Sequence, residues 1–145
     1  MRLVVQRVAR SRVRVGGEVV AEGGAGLLIL VGIGVDDAED EPEKLATKIW
    51  HLRIFEDDRG KMNRSIEDTG GDIVVVPQFT LYGDTSGGRR PSWIRAAPPD
   101  VAGPAVERFA AALSSLGATV RTGAFREHME VELVNDGPVT LILEA

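Results

Sequence analysis

An apolar run in this chain ends in Gln78, Phe79 and Thr80, within "VVVPQFTLYG" (Val74–Gly83). Polar groups at a strand end, just ahead of a long loop, are well placed to line a pocket. Three readings of them are open. Thr80 could act as a nucleophile, but a threonine hydroxyl needs a base and none accompanies it here. The backbone N–H groups of Phe79 and Thr80 could hold a developing oxyanion. Or Gln78 and Thr80 are ordinary polar residues alternating with Phe79 and Leu81.

Other chemistries find less support. The chain has no Cys and only two His, His51 and His128, which form no ligand-spaced pair. No metal site is expected from such a set. His51 falls at a helical position beside Leu52 and reads as structural; His128 precedes a strand. "GDTSGG" (Gly83–Gly88) has Gly spacing like a phosphate loop, but it continues Arg-Arg-Pro instead of Lys-Ser/Thr opening a helix. It mimics a protease string without the His context. "NRS" at Asn63 has no signal peptide to give it meaning as a glycosylation acceptor.

A second unusual stretch closes the chain: "LVNDGPVTLILEA", Leu133–Ala145. Gly137 and Pro138 interrupt what otherwise reads as strand, where both are poor residues.

With 145 residues the chain reads as one domain over 1–145, large enough to bury roughly 70% of its unfolded surface without staples. The absence of Cys suits a reducing compartment. Gly26–Val35 is too short an apolar run to span a bilayer. Five Arg in the first 14 residues imitate a transit peptide, but Arg12, Val13, Arg14 and Val15 alternate with a strand period. The formal charge of −5 gives no global attraction to nucleic acid, so RNA contact must use a local patch. The Arg-rich first strands and "GGRRPSWIR" (Gly87–Arg95) are the candidates.

The elements that would position these residues follow from periodicity. Strands are expected at Leu3–Ala9 and Arg12–Val15, with Gly16-Gly17 turning into Glu18–Ala21. Leu27–Ile33 is apolar on both faces, as in the middle of a covered sheet. Leu45, Ile49 and Leu52, after Pro42 and several acids, mark a helix. "FEDDRGKMN" (Phe55–Asn63) is a turn-rich connection, Ile73–Phe79 a strand, and a long loop follows. A second helix begins between Pro99 and Pro104 with the face Ala105, Phe109, Ala112, Leu113 and Leu116. Strands at Ala118–Arg121, Met129–Val134 and Val139–Glu144 finish the chain. The fold class is α/β, a single domain with a mixed or antiparallel sheet and two main helices packed on one side.

"PQFTL" (Pro77–Leu81) followed in order by "NDGPVT" (Asn135–Thr140) resembles the D-aminoacyl-tRNA deacylase family. The resemblance extends through "VQRV", "GAGLLILVG", "RIFEDDRGKMN", "RRPSW" and "TGAF", and so covers essentially the whole chain. One departure is plain: the family's Ser is Pro77 here, which offers neither a hydroxyl nor a backbone N–H. The resemblance implies hydrolysis of the ester joining a D-amino acid to the terminal adenosine of tRNA, and of glycyl-tRNA. It implies a homodimer in which each subunit lends a cis Gly137-Pro138 to its partner's pocket, so that main chain excludes an L side chain. Arg7 would hold the Gly-Pro segment, and Pro77, Gly123, Phe125 and Met129 would lie near the pocket. Catalysis would rest on the Phe79–Thr80 backbone, with the ribose 2′-hydroxyl assisting and Gln78 nearby. The expected partners are the aminoacylated tRNA 3′ end and a second copy of the chain, with no membrane, DNA, metal or cofactor, in the cytoplasm. Two other readings compete: a non-catalytic RNA- or nucleotide-binding module on the same fold, and a hydrolase of small D-amino acid esters.

Overall fold

The computed structural model describes residues 1–145. Its centre is a long strand, β1 (Arg2–Val15), whose burial alternates along Arg2–Arg7 and again along Ser11–Arg14, with Ala9 and Arg10 exposed between. Through Arg2–Val8 it pairs antiparallel with β3 (Gly26–Gly32), and through Ser11–Val15 with β2 (Glu18–Gly23). Along its other edge runs β8 (Glu130–Glu144). β3 continues in parallel to β6 (Asp72–Pro77), and β6 in parallel to β7 (Thr119–Thr122). The result is a mixed six-stranded sheet, β2-β1-β3-β6-β7 with β8 on β1. Parallel neighbours need crossovers, and helices supply them. Between β3 and β6 lie α1 (Glu41–His51), a small hairpin of β4 (Phe55–Glu56) and β5 (Met62–Arg64), and the short α2 (Ile66–Thr69). Between β6 and β7 lies α3 (Pro99–Ser115).

Both long helices cover one face. Leu45, Ile49 and Trp50 of α1 and Val106, Phe109 and Leu113 of α3 join Leu3, Val5, Leu27, Ile29, Ile73 and Val75 in one large core. The opposite sheet face carries a smaller cluster, Val8, Val13, Leu28, Val74 and Val76. β3 and β6 feed both clusters because they are central, which explains their unbroken apolar sequence. Phe109 is fully buried, and its truncation to Ala should cost about 3–5 kcal/mol. Where β3 leaves its turn, the chains run so close that a Cβ on Gly26 would lie 1.9 Å from the Asp72 carbonyl oxygen. No helix is long and apolar enough to cross a membrane.

Several boundaries differ from the sequence reading. The two N-terminal strands are one, with register irregularities around Val8. Phe55–Asn63 is a hairpin whose turn is organised by Asp57, which accepts from Arg59 N, Lys61 N and Asn63 Nδ2. The strand expected to reach Phe79 ends at Pro77, and Phe79–Tyr82 form a 3-10 turn. α3 begins at Pro99 and tolerates Pro104 in its second turn, where the Asp100 carbonyl it deprives of a donor is in an exposed residue. Its buried face includes Ala102 and Val106, while Leu116 is exposed.

The two C-terminal strands are also one element, β8, but the ladder to β1 breaks within it. Gln6 pairs with Thr140 and Val8 with Asn135, so Arg7 alone faces the excursion Asp136, Gly137, Pro138 and Val139. This is an enlarged bulge, a device that redirects backbone away from the sheet.

Candidate active site

A cleft of about 650 Å³ opens where β6 ends. Val76, Pro77, Gln78 and Phe79 form one wall, the start of α3 (Pro99, Ala102, Val106) another, and Phe125–Met129, leading into β8, a third. Gly123 is the hinge of the arrangement. Its N–H donates to the Val75 carbonyl at 2.8 Å, and a Cβ there would sit 2.8 Å from Met129 Sδ and 3.8 Å from Pro77 Cδ. A side chain at this position, just after β7, would have to displace the Met129 thioether, while Pro77 would stay at ordinary contact distance. Phe125 lies over Gly103 of α3, where a Cβ would come within 3.2 Å of its ring. The lining is mostly apolar; Arg126, Glu127 and His128 are its titratable side chains.

The 3-10 turn presents the polar motif. Its first hydrogen bond runs from Leu81 N–H to the Gln78 carbonyl at 3.2 Å, so the N–H groups of Phe79 and Thr80 precede the turn's own bonding. The turn is anchored from β1 and from the loop after β3. Arg2 Nη1 donates to the Leu81 carbonyl at 2.6 Å, and the Arg2 guanidinium lies 4.9 Å above the Tyr82 ring. Tyr82 donates to Asp37 Oδ1 at 3.3 Å. Burial, and then the Asp37 charge, push its phenol well above the usual range, so it stays a donor. Thr80 itself is exposed, is not part of the cleft lining, and accepts a hydrogen bond from Gln78 Nε2.

Pro77, Gln78, Phe79, Gly123, Phe125 and Met129 are therefore brought together. Arg7, Gly137 and Pro138 are not among them; they form a second constellation. Arg7, 6% exposed, donates from Nε to the Asp136 carbonyl at 3.0 Å and from Nη1 to the Ile54 carbonyl at 2.8 Å. Asn135 closes the neck of the bulge: its side chain donates to the carbonyls of Arg7 and Val139 and accepts from Val139 N–H. At the tip the Gly137–Pro138 bond is cis and both residues are exposed. Gly137 has φ +138°, a backbone setting that favours glycine.

Some cleft residues are not singled out as such by the sequence, although Trp93 lies in the Gly87–Arg95 stretch offered there as a candidate RNA contact. Trp93 stacks edge-on against Phe79, centroids 5.1 Å apart, and lines the cleft. His128 lines it too. Arg126 is the one non-glycine residue at positive φ (65°). Asn135 beside Asp136 carried a signal, since Asn readily bonds nearby backbone. His51, read as structural, is exposed, pairs with Glu67 at 3.0 Å and does not line the cleft.

A family model described as D-Tyr-tRNA(Tyr) deacylase matches residues 4–144. A curated D-aminoacyl-tRNA deacylase from Heliobacterium modesticaldum is 56% identical over 144 residues, covering 99% of this chain and 96% of that protein. One from Symbiobacterium thermophilum is 54% identical, covering 100% and 96%. A solved structure described as c-Myc DNA Unwinding Element Binding Protein matches with TM-score 0.94 at 38% identity, covering 100% of this chain and 99% of that one. Another, a structural analysis of a probable eukaryotic D-amino acid tRNA deacylase, matches with TM-score 0.83 at 18% identity over 98% and 97%, a likeness of fold.

Proposed function

The chain belongs to the D-Tyr-tRNA(Tyr) deacylase family, hydrolases acting on D-aminoacyl-tRNA, and from that membership we propose how it selects and cleaves its substrate. The working unit is a homodimer. Each cleft receives the aminoacylated 3′ end of tRNA and is completed by the partner subunit's Gly137 and Pro138. The observation that carries this reading is the separation of the two constellations. The Gly137–Pro138 bulge is rigidly held by Arg7 and Asn135, yet it is exposed and does not line the cleft of its own chain. A two-fold exchange would supply both sites reciprocally.

Within that site, water adds to the ester carbonyl and the negative charge develops on the carbonyl oxygen. The N–H groups of Phe79 and Thr80 are the donors for it, and the ribose 2′-hydroxyl assists departure of the neighbouring 3′ oxygen, which leaves protonated. Gln78 orients the Thr80 side chain. The carbonyls around Gly137 accept from the substrate α-amino group and fill the space an L side chain needs. Pro77, Phe125 and Met129, with Gly123 behind them, shape the adenosine side of the cleft. Rejection by rigid main chain needs about 4 kcal/mol for a factor of 10³. Glycine has no side chain to exclude, so glycyl-tRNA is also cleaved.

The test combines two variants. One subunit carries Gly137→Val, the other a cleft disabled by Phe125→Asp with Met129→Asp. Mixing should restore D-Tyr-tRNA hydrolysis that neither homodimer shows, while L-Tyr-tRNA stays intact. No restoration, or sedimentation as a 15.6 kDa species at micromolar concentration, overturns the shared site. Release from neither substrate by the unaltered protein identifies a binding module. Equal action on a minimal aminoacyl ester identifies a small-ester hydrolase.

A further inference from the structure

After the 3-10 turn the chain enters a loop, Gly83–Arg95, whose base is fixed by backbone bonds. Asp84 and Ser92 exchange N–H···O=C bonds at 2.9 and 2.8 Å, Ala96 N–H donates to the Trp93 carbonyl at 2.9 Å, and Val35 N–H donates to the Arg95 carbonyl at 3.0 Å. The Asp84 carboxylate accepts from Ser86 N–H at 2.9 Å. A loop so held presents its side chains without large ordering cost. What it presents is unusual for a chain of net charge −5. Arg89, Arg90 and Arg95 are exposed and enter no ion pair, whereas Arg2, Arg12, Arg14 and Arg108 are matched with acids. Arg10, Arg53, Arg59, Arg64, Arg121 and Arg126 are likewise exposed and enter no ion pair, but only here do three such arginines fall within seven residues of one loop. Between them stand Trp93, 41% exposed, and Ile94, which at 81% is the most exposed large apolar residue. Trp93 is also part of the cleft wall, so the patch runs directly out of it.

We infer that this loop is a binding platform for the unpaired nucleotides that precede the terminal adenosine of tRNA. Bases rest on Trp93 and Ile94, and the phosphates between them meet Arg89 and Arg90. Unpaired cations interleaved with an exposed aromatic suit a single strand, since every base has a π-face and every linkage a negative charge. Folded duplex would instead require a broad basic surface, which the acidic balance of the chain does not provide. The inference rests on the proposed substrate, and it adds where the RNA goes beyond the ester.

The experiment compares D-Tyr-tRNA with 3′-O-D-tyrosyl-adenosine, using the double variant Arg89→Ser/Arg90→Ser and, separately, Ile94→Ser. All three side chains are exposed, so unchanged thermal unfolding is expected. The double variant should raise KM for D-Tyr-tRNA about tenfold and leave kcat and the minimal substrate unaltered. The slope of log affinity against log salt should shrink by roughly 1.4, two single-strand phosphates at about 0.7 each. Ile94→Ser should weaken tRNA binding with no change of slope. Equal losses on both substrates, or an unchanged KM and slope, would overturn the platform. Binding of uncharged tRNA, with and without its unpaired 3′ nucleotides, reads the platform independently of catalysis. If the unaltered protein releases D-Tyr from neither substrate yet loses affinity for the trimmed tRNA, the hydrolytic reading fails and the platform stands; no loss on trimming sinks the platform.

Discussion

Arg7 Nε lies 3.0 Å from the carbonyl oxygen of Asp136, joining a buried position of the central strand to the base of an exposed bulge. The same guanidinium reaches the Ile54 carbonyl on the chain just after α1. A planar fork with several fixed donors can serve two carbonyls at once; an ammonium on a flexible stem cannot do so with the same geometry. Arg7→Lys should therefore lower stability by about 1–3 kcal/mol and reduce D-Tyr-tRNA hydrolysis by more than the folded fraction explains. Urea denaturation run beside the deacylation assay checks this. An unchanged midpoint with unchanged activity would show that the bulge holds itself.

Gly137→Ala tests the tip. A Cβ there would lie 2.8 Å from Val139 Cγ2, 3.0 Å from Val139 N and 3.1 Å from Arg7 Nη2. Together with φ +138°, this costs on the order of 1–3 kcal/mol and shifts the bulge rather than the sheet. The variant should fold, and its D-Tyr-tRNA activity should fall at least tenfold. D- and L-Tyr-tRNA are to be measured side by side. Activity and discrimination both equal to the parent would make the tip a mere turn.

Thr80→Ala separates a side-chain nucleophile from backbone donors. The hydroxyl is exposed and engaged by Gln78, while the Thr80 N–H survives the substitution. The rate should drop by less than about 10³-fold, the lower bound for losing an obligatory nucleophile. A larger drop, with binding of a non-hydrolysable D-aminoacyl adenosine intact, would assign the chemistry to the hydroxyl.

Acid should destabilise the protein through identifiable carboxylates. Hydrogen bonding from Asn63 and then from backbone N–H groups holds Asp57 below its usual value, Ser65 N–H and hydroxyl do the same for Asp68, and Arg108 for Glu43. A depressed folded pKa contributes stability that is complete above the unfolded value and lost as pH falls through the folded one. Unfolding free energy should thus be flat in these groups' contribution between pH 6 and 8 and decline below about 4. Asp68→Asn, which weakens the capping box of α2, should make that decline shallower. An identical acid profile for the variant would remove Asp68 from the account.

The sequence made the strands legible where burial is two-sided or strictly alternating. Leu27–Gly32 and Ile73–Val76 are unmistakable because both faces are covered. It concealed continuity. Ala9–Arg10 and Asp136–Pro138 break the apolar period, and each read as an end when it is an irregularity inside a longer strand. The 3-10 turn was hidden for a similar reason: Phe79 and Leu81 extend the apolar run, and nothing local announces that Pro77 closes the ladder. Within the site, residues at the end of β6, just after β7 and just before β8 converge only through the parallel pairing of β6 with β7 and the antiparallel return of β8 to β1. Gly123 beside Met129 was therefore suggested by resemblance rather than by spacing. Trp93 and His128 come from segments without a period, where a sequence has no face to read.

The bulge has a further consequence for the edge of the sheet. β8 pairs on one side only, and its 15 residues would otherwise offer an uninterrupted row of open N–H and C=O groups, with Ile142 at 70% exposure beside it. Such a row is a template on which foreign strands add without limit. The excursion at Asp136–Val139 divides it into two short stretches, and Pro138 withholds a donor between them. Straightening this segment into regular strand should therefore expose a continuous edge, and such a variant is expected to precipitate at concentrations where the parent stays clear.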